Sequence, residues 1–186
     1  MLEVGNFGVG QDRCEVVDSA RDAAWYASVP GQLAVTESRT HFGAWCIVSS
    51  PLILGLDVTD DARLDSVWDI VSNTEAIAVN QAWAGEPGRL VAEDSKGTWQ
   101  LWSKIVATTK KGKPSAVAAL LFNRGGETRN ASTVDLDVEL GLKGQVTARN
   151  IWTHSNDTDA VRGGTWAVPT LSTHDSVFYL FTVTGE

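Results

Sequence analysis

Residues 40–81 of the chain read THFGAWCIVSSPLILGLDVTDDARLDSVWDIVSNTEAIAVNQ, and this stretch decides the fold. Its apolar residues first recur at helical spacing, as far as Pro51, where a helix must end. Residues 52–56 are then continuously apolar, which is typical of a strand covered on both faces. A second helical pattern ends at Ser72 and Asn73, and the short apolar run at residues 76–79 predicts a second buried strand.

Helix, strand, helix and strand in this order predict the wall of a parallel α/β barrel or sheet. Asp57 stands where the first predicted strand ends. Because barrels carry their active sites at the carboxyl ends of the strands, Asp57 is a candidate ligand contact. It is equally compatible with a turn that leads into the next helix, a role that Asp60 and Asp61 also fit. The residues alone leave both roles open.

Length and composition bound what the chain can be. It has 186 residues, of which 43% are apolar, so it can bury a core, but a complete eight-stranded barrel needs roughly 250 residues. The net charge of -8 disfavours a nucleic-acid partner, which requires a basic face. No apolar run approaches the roughly 20 residues of a membrane span, and the first residues do not have the pattern of a signal peptide. Cys46 lies on the apolar face of the first helix, where we expect a buried free thiol.

The character of the sequence changes after residue 84, where Gly85, Pro87 and Gly88 stand close together. We therefore predict one domain over residues 1–84 and a second over residues 85–186. In the second, short strand-like runs alternate with turns, which is typical of an antiparallel β-sandwich. The predicted strands cover residues 90–91, 98–105, 116–122, 133–140, 146–152, 165–168 and 176–183.

Few motifs in the chain point to chemistry. It has no Gly-rich phosphate loop, zinc-ligand spacing or Gly-x-Ser-x-Gly elbow, so we expect no cofactor and no metal. His41, His154 and His174 stand far apart, and we expect them to be structural. Asn130 and Asn156 begin glycosylation sequons in predicted turns.

A series of motifs follows the order found in one known family. They are THFGAWCIVSSPLILGLD at residues 40–57, EAIAVNQ at 75–81 before a Gly-Pro turn, LWSK at 101–104, VAALLFNRG at 117–125 and NIWTH at 150–154. In this order they resemble the α-galactosidase (melibiase) family of glycoside hydrolases. MLEVGN at residues 1–6 looks like the sequence directly after that family's Asp-Pro-Asp motif, so the resemblance covers nearly the whole chain.

The resemblance implies a fold of the α/β plus all-β kind. Members have a (β/α)8 TIM barrel followed by an antiparallel β-sandwich. Residues 52–56 correspond to the seventh barrel strand and residues 76–79 to the eighth, so the barrel in this chain is incomplete. Its exposed strand edge and apolar faces lead us to expect self-association of the isolated chain, including a homo-oligomer.

The resemblance also implies a chemistry. Members hydrolyse terminal α-galactosides with retention, using two carboxyl groups about 5 Å apart. It places no catalytic residue in this chain, because the acid/base falls directly before Met1 and the nucleophile further upstream. Asp57 matches a sugar contact of the family. We therefore expect the C-terminal piece of a longer, secreted, lysosomal or vacuolar enzyme that acts on an α-galactoside oligosaccharide or glycoconjugate.

Three alternatives remain at this stage. The first is an α-N-acetylgalactosaminidase of the same family, whose distinguishing pocket residues would lie upstream of Met1. The second is a non-catalytic carbohydrate-binding module that uses the tryptophans of the β domain. A nucleotide-binding α/β protein is disfavoured, because no Gly-rich loop joins the predicted strand to the helix.

Overall fold

The computed structural model describes residues 35–184, with every side chain in that range except that of Arg63. Its helices are α1 (Val35–Ile47), α2 (Asp61–Val71), α3 (Thr74–Gln81) and α4 (Leu136–Leu140). Its strands are β1 (Arg89–Glu93), β2 (Trp99–Thr108), β3 (Pro114–Asn123), β4 (Ser132–Asp135), β5 (Val146–Asn150), β6 (Ser155–Asn156), β7 (Val161–Arg162), β8 (Thr165–Val168) and β9 (Ser176–Val183).

The strands form two antiparallel sheets that face each other. The larger has the order β1-β2-β3-β9-β5-β6, and the smaller has the order β4-β8-β7. Between them lies a core to which Leu121 and Phe181 contribute from the larger sheet and Trp166 from the smaller. The predicted antiparallel β-sandwich is therefore confirmed.

Helix α1 packs on the other face of the larger sheet, and α2 and α3 pack against α1 and extend this apolar cluster. Alternate residues of a strand point to opposite faces, so Leu121 of β3 faces the sandwich core while Ala118 and Leu120 pack with the helices. A strand buried on both faces has no polar side, which explains why β3 reads as a continuous apolar run. Gly43 permits the close approach of α1, because a Cβ atom there would lie 2.9 Å from Leu120 Cδ1.

The two predicted helices of residues 40–81 are confirmed as α1 and α2, but the two predicted strands are wrong. Residues 52–56 form a loop with one isolated bridge position at Leu54, and residues 76–79 lie inside α3. A short apolar run carries no period that separates helix from strand. In α3 the backbone satisfies its own hydrogen bonds, and Asn73 caps the first turn by accepting from the N–H groups of Glu75 and Ala76, both at 3.0 Å.

The β-sandwich differs from the prediction at residues 133–140. Strand β4 ends at Asp135, and α4 follows in place of a longer strand. The Asp135 side chain accepts hydrogen bonds from the N–H groups of Asp137 and Val138, and Gly141 ends the helix with φ of 69°. An Asp at the N-cap and a Gly after the last turn are ordinary helix boundary signals. The sequence therefore carried the information for this short helix.

Candidate functional site

Asp57, the predicted sugar contact, lies exposed in the loop between α1 and α2. Its Oδ1 accepts hydrogen bonds from the Thr59 backbone N–H at 2.9 Å and from the Thr59 hydroxyl at 2.7 Å. The Asp57 carbonyl also accepts from the Asp60 N–H at 3.3 Å. These contacts belong to a turn-forming residue that leads the chain into α2. A contact between Asp57 and a sugar stays a prediction.

The loop that carries Asp57 is unusually apolar for its exposure. Ile53 is 63% exposed, Leu54 39% and Val58 58%. These three large aliphatic side chains lie within four residues of Asp57 in the chain. The surroundings of Asp57 are therefore an apolar surface, defined here by Ile53, Leu54 and Val58 and called the loop patch.

Lys104 forms the central polar contact between the helices and the larger sheet. It is only 1% exposed, and its ammonium group donates to Ser49 Oγ at 2.6 Å, to the Val79 carbonyl at 2.5 Å and to the Asn80 carbonyl at 3.0 Å. Burial lowers the pKa of this amine below its usual range. The two carbonyls stand at the C-terminal, negative end of α3, where a cation is favoured.

Sequence reasoning did not identify this role of Lys104. The alternation of side chains along β2 could have indicated it. Lys104 stands two residues after Trp102, which packs against the helices, so both side chains point to the same face of the sheet.

The neighbouring Cys46 is a buried free thiol, as expected, and burial raises its pKa to about 12. Such a thiol is unreactive, so the cysteine contributes packing and no chemistry.

An ionic cluster joins the start of α3 to the sandwich. The Glu75 carboxylate accepts from Arg149 Nε at 2.8 Å and Nη2 at 2.6 Å, and His154 Nδ1 lies 2.9 Å from Glu75 Oε1. Hydrogen bonding by Arg149 is the main reason that the pKa of Glu75 is lowered. The bidentate geometry fixes both partners in position. This cluster is a contact between layers, and its carboxylate is fully engaged.

A second pair joins the start of α1 to the loop before β9. His174 Nδ1 lies 2.6 Å from Glu37 Oε1, and the Thr40 hydroxyl donates to the His174 carbonyl at 2.9 Å.

Across residues 35–184, no group of three or more His, Cys, Asp or Glu side chains is placed to hold a metal ion.

A polar cleft of about 440 Å³ opens between α1, α2 and the turn after β5. Its lining includes Arg39, Asp69, Trp152 and His154. Asp57 is not among the residues that line this cleft. Of the helices that the structure describes, none has the length and apolar character to cross a membrane.

Both sequons are exposed. Asn130 lies in the loop between β3 and β4, whereas Asn156 lies in β6 and not in a turn. The Asn156 Oδ1 accepts from Arg149 Nη1 at 3.2 Å. Glycosylation of either residue stays a prediction.

Comparison with known proteins accounts for most of the chain. Residues 96–181 match the α-galactosidase C-terminal β-sandwich domain. Over 152 residues the chain is 35% identical to an α-galactosidase from Coffea arabica, a match that covers 82% of this chain and 37% of that protein. The chain thus spans about a third of the length of the curated relatives it matches.

Solved structures share the fold. α-Galactosidase I from Mortierella vinacea superposes with a TM-score of 0.61 at 23% identity, over 81% of this chain and 37% of that one. A β-L-arabinopyranosidase from Geobacillus stearothermophilus gives a TM-score of 0.65 at 21% identity, over 82% and 32% of the two chains. At such identities the likeness establishes the architecture alone.

Proposed function

We propose a function from the premise that this chain belongs to the α-galactosidase family, of which residues 96–181 form the C-terminal β-sandwich domain. The chain supplies the C-terminal part of a retaining exo-glycosidase that hydrolyses terminal α-galactosyl residues of an oligosaccharide or glycoconjugate. The observation that carries this proposal is the 152-residue match to the Coffea arabica α-galactosidase. This match is longer than the β-sandwich and therefore extends into helices α1, α2 and α3, which we call the helical layer.

Retention requires two carboxyl groups about 5 Å apart, one as nucleophile and one as acid/base. We place both upstream of Met1, the acid/base directly before it. Asp57 contributes a hydrogen-bond acceptor to sugar hydroxyls, a contact that contributes on the order of 1.5–3 kcal/mol when it is buried and charge-assisted.

Residues 1–84 belong, in this proposal, to the last part of a (β/α)8 barrel, to which residues 76–79 contribute helix α3 and not an eighth strand. The loop patch supports it, because Ile53, Leu54 and Val58 are the kind of side chains that the rest of a barrel wall covers. The exposed sequons at Asn130 and Asn156 support a secreted, lysosomal or vacuolar place for the whole protein.

The experiment that tests this function starts from the transcript upstream of the codon for Met1. We expect it to encode Trp-x-Asp-Pro-Asp directly before Met1. The purified 186-residue chain should show no turnover of an aryl α-galactoside, whereas the protein from the longer reading frame should release galactose as the α-anomer. An in-frame stop directly before Met1, or turnover by the short chain, would contradict the assignment.

Two other functions are separable by experiment. An α-N-acetylgalactosaminidase of the same family is distinguished by comparing the longer protein on aryl α-galactoside and aryl α-N-acetylgalactosaminide. A sugar specificity other than galactose is compatible with this architecture, since the Geobacillus stearothermophilus structure is a β-L-arabinopyranosidase. A non-catalytic carbohydrate-binding module would instead show a saturable change of Trp fluorescence when galactose is added to the short chain.

A further inference from the structure

A second cleft, of about 230 Å³, opens between α4 and the strands β1, β2 and β3. It is separate from the polar cleft beside α1, since the two have no lining residue in common. Sites for drug-sized ligands ordinarily measure roughly 300–1,000 Å³, so this cleft has room only for a small molecule. Three groups of side chains in its lining differ in chemistry: hydrogen-bond donors, carboxylates and an aliphatic floor.

Ser103 is the most unusual residue of this cleft. It stands on the core face of β2 between Leu101 and Ile105, which both pack with the sandwich core. Ser103 is 9% exposed, and its hydroxyl makes no hydrogen bond with another of the residues 35–184. Burial of a hydroxyl without a partner is unfavourable, because the group gives up its hydrogen bonds to water. A polar ligand in the cleft would restore such a bond.

Arg89 of β1 lies directly opposite Ser103. The two residues are partners in the antiparallel pairing of β1 with β2, so their side chains point to the same face of the sheet. Arg89 is exposed, and its guanidinium forms no hydrogen bond or ion pair with the part of the chain that the structure describes. A guanidinium donates two parallel hydrogen bonds to a carboxylate, and a neighbouring hydroxyl adds a third. We call Arg89 and Ser103 the donor pair, which suits a carboxylate.

Two carboxylates line the same cleft, Glu86 from the segment before β1 and Glu139 from α4. Within residues 35–184, no ion pair joins either of them to Arg89. They outnumber the single guanidinium, so a simple anion meets a net negative charge and is disfavoured. A ligand with an ammonium group beside its carboxylate matches both signs of charge. We call Glu86 and Glu139 the acidic pair.

Much of the remaining lining is aliphatic. Ile105 and Val117 are cross-strand partners on β2 and β3, and Leu140 lines the cleft from α4. These three side chains, which we call the aliphatic floor, also pack with the sandwich core. None of the described residues that line the cleft is aromatic, so a sugar ring would find no ring to stack on. The aliphatic floor instead fits a branched hydrocarbon chain.

We propose that this cleft binds a small zwitterion with an aliphatic body, which is the chemistry of a free aliphatic α-amino acid. The carboxylate of such a ligand accepts hydrogen bonds from the donor pair, and its ammonium group contacts the acidic pair. Its side chain covers the aliphatic floor. The site makes no use of glycosidase chemistry, so its test is independent of the test of the proposed function.

Methyl NMR of the full chain, titrated with L-leucine, tests this proposal. We expect saturable shifts of the methyl resonances of the aliphatic floor, with a Kd of about 1–10 mM for so small a ligand. Three analogues each remove one feature of the ligand. Leucinamide lacks the carboxylate, 4-methylpentanoate lacks the ammonium group and glycine lacks the aliphatic body, and each should bind at least about tenfold more weakly.

Variants of the donor pair assign the binding to this cleft. Arg89→Gln should weaken the binding of L-leucine at least about tenfold, and Ser103→Ala roughly three- to tenfold. Ser103→Ala also separates binding from folding, because loss of an unpartnered buried hydroxyl should leave the midpoint of urea unfolding unchanged or higher. The matched control is Arg162→Gln, which removes an exposed guanidinium that pairs with Asp159 outside the cleft and should leave binding unchanged.

Three results would overturn the proposal. The absence of saturable shifts up to about 50 mM L-leucine would show that the cleft holds only water. Equal affinity for L-leucine and for leucinamide or 4-methylpentanoate would show that the charges of the ligand are not recognised. Unchanged affinity in Arg89→Gln would place the binding elsewhere. Should that variant not fold, the analogue series on the unchanged chain decides the same question.

Discussion

At the scale of single residues, Lys104 shows how one buried cation joins two layers. Its three acceptors are a hydroxyl after α1 and two carbonyls at the end of α3, so one side chain fixes both helices to β2. Without the ammonium group these acceptors lose a hydrogen-bond partner, but the unfavourable burial of the charged amine is removed at the same time, so the expected net cost is about 1–3 kcal/mol in total.

We therefore predict that Lys104→Met, which preserves the length of the side chain, lowers the free energy of unfolding by about 1–3 kcal/mol. The measurement is equilibrium unfolding in urea, followed by Trp fluorescence. Lys113→Met, in the exposed hairpin after β2, is the matched control and should change stability by less than about 0.5 kcal/mol. A Lys104→Met variant as stable as the unchanged chain would show that desolvation of the amine cancels its hydrogen bonds.

At the scale of elements, α3 depends on Asn73 more than on its own composition. Eight residues are too few for a helix that is stable in isolation, so its cap and its packing decide whether it forms. The Asn73 oxygen caps α3, while its amide nitrogen donates to the Ile151 carbonyl at 2.9 Å. This buried side chain therefore begins the helix and also joins it to the turn that directly follows strand β5.

We predict that Asn73→Ala destabilises the chain by about 2–3 kcal/mol, since a lost cap costs about 1 kcal/mol and the unpaired carbonyl at least another. Asp135→Ala offers a comparison within the same molecule, because it removes the cap of α4 and no second bond, and should cost only about 1 kcal/mol. Urea unfolding of the two variants gives both values. Equal losses would show that the bond to Ile151 contributes nothing.

At the scale of the whole molecule, the loop patch leaves apolar surface that residues 35–184 do not cover. We predict that the isolated chain self-associates with rising concentration, and that the variant I53T/V58T reduces this association. Sedimentation velocity over a concentration series measures it. Val138→Thr, on an exposed side chain of α4, is the matched control and should leave association unchanged. Equal reduction by both variants would show that association is not specific to the loop patch.

The spacing of apolar residues was sufficient to predict the secondary structure of segments that are long or that alternate between apolar and polar residues. Helices α1 and α2 follow from apolar spacing, and the long strands β2, β3 and β9 follow from β-rich runs between turns. Asp57 could be found as a residue after an apolar run, but its contact with Thr59 could not be distinguished from a ligand contact, because both use the same carboxylate. The roles of Lys104 and Glu75 depend on partners far along the chain, which no local pattern indicates.

The sequence by itself determined the family, the antiparallel sandwich and the two longer helices before it, because these depend on local period, turns and motifs. Only the tertiary structure decided residues 52–56 and 76–79, since a short apolar run adopts whichever backbone state its neighbours can satisfy. The residues that the structure describes offer residues 76–79 no parallel strand, and α3 pairs its own backbone under the cap of Asn73. Tertiary packing also decided that Lys104 is buried, because its three acceptors come together only when the helical layer lies on the sheet.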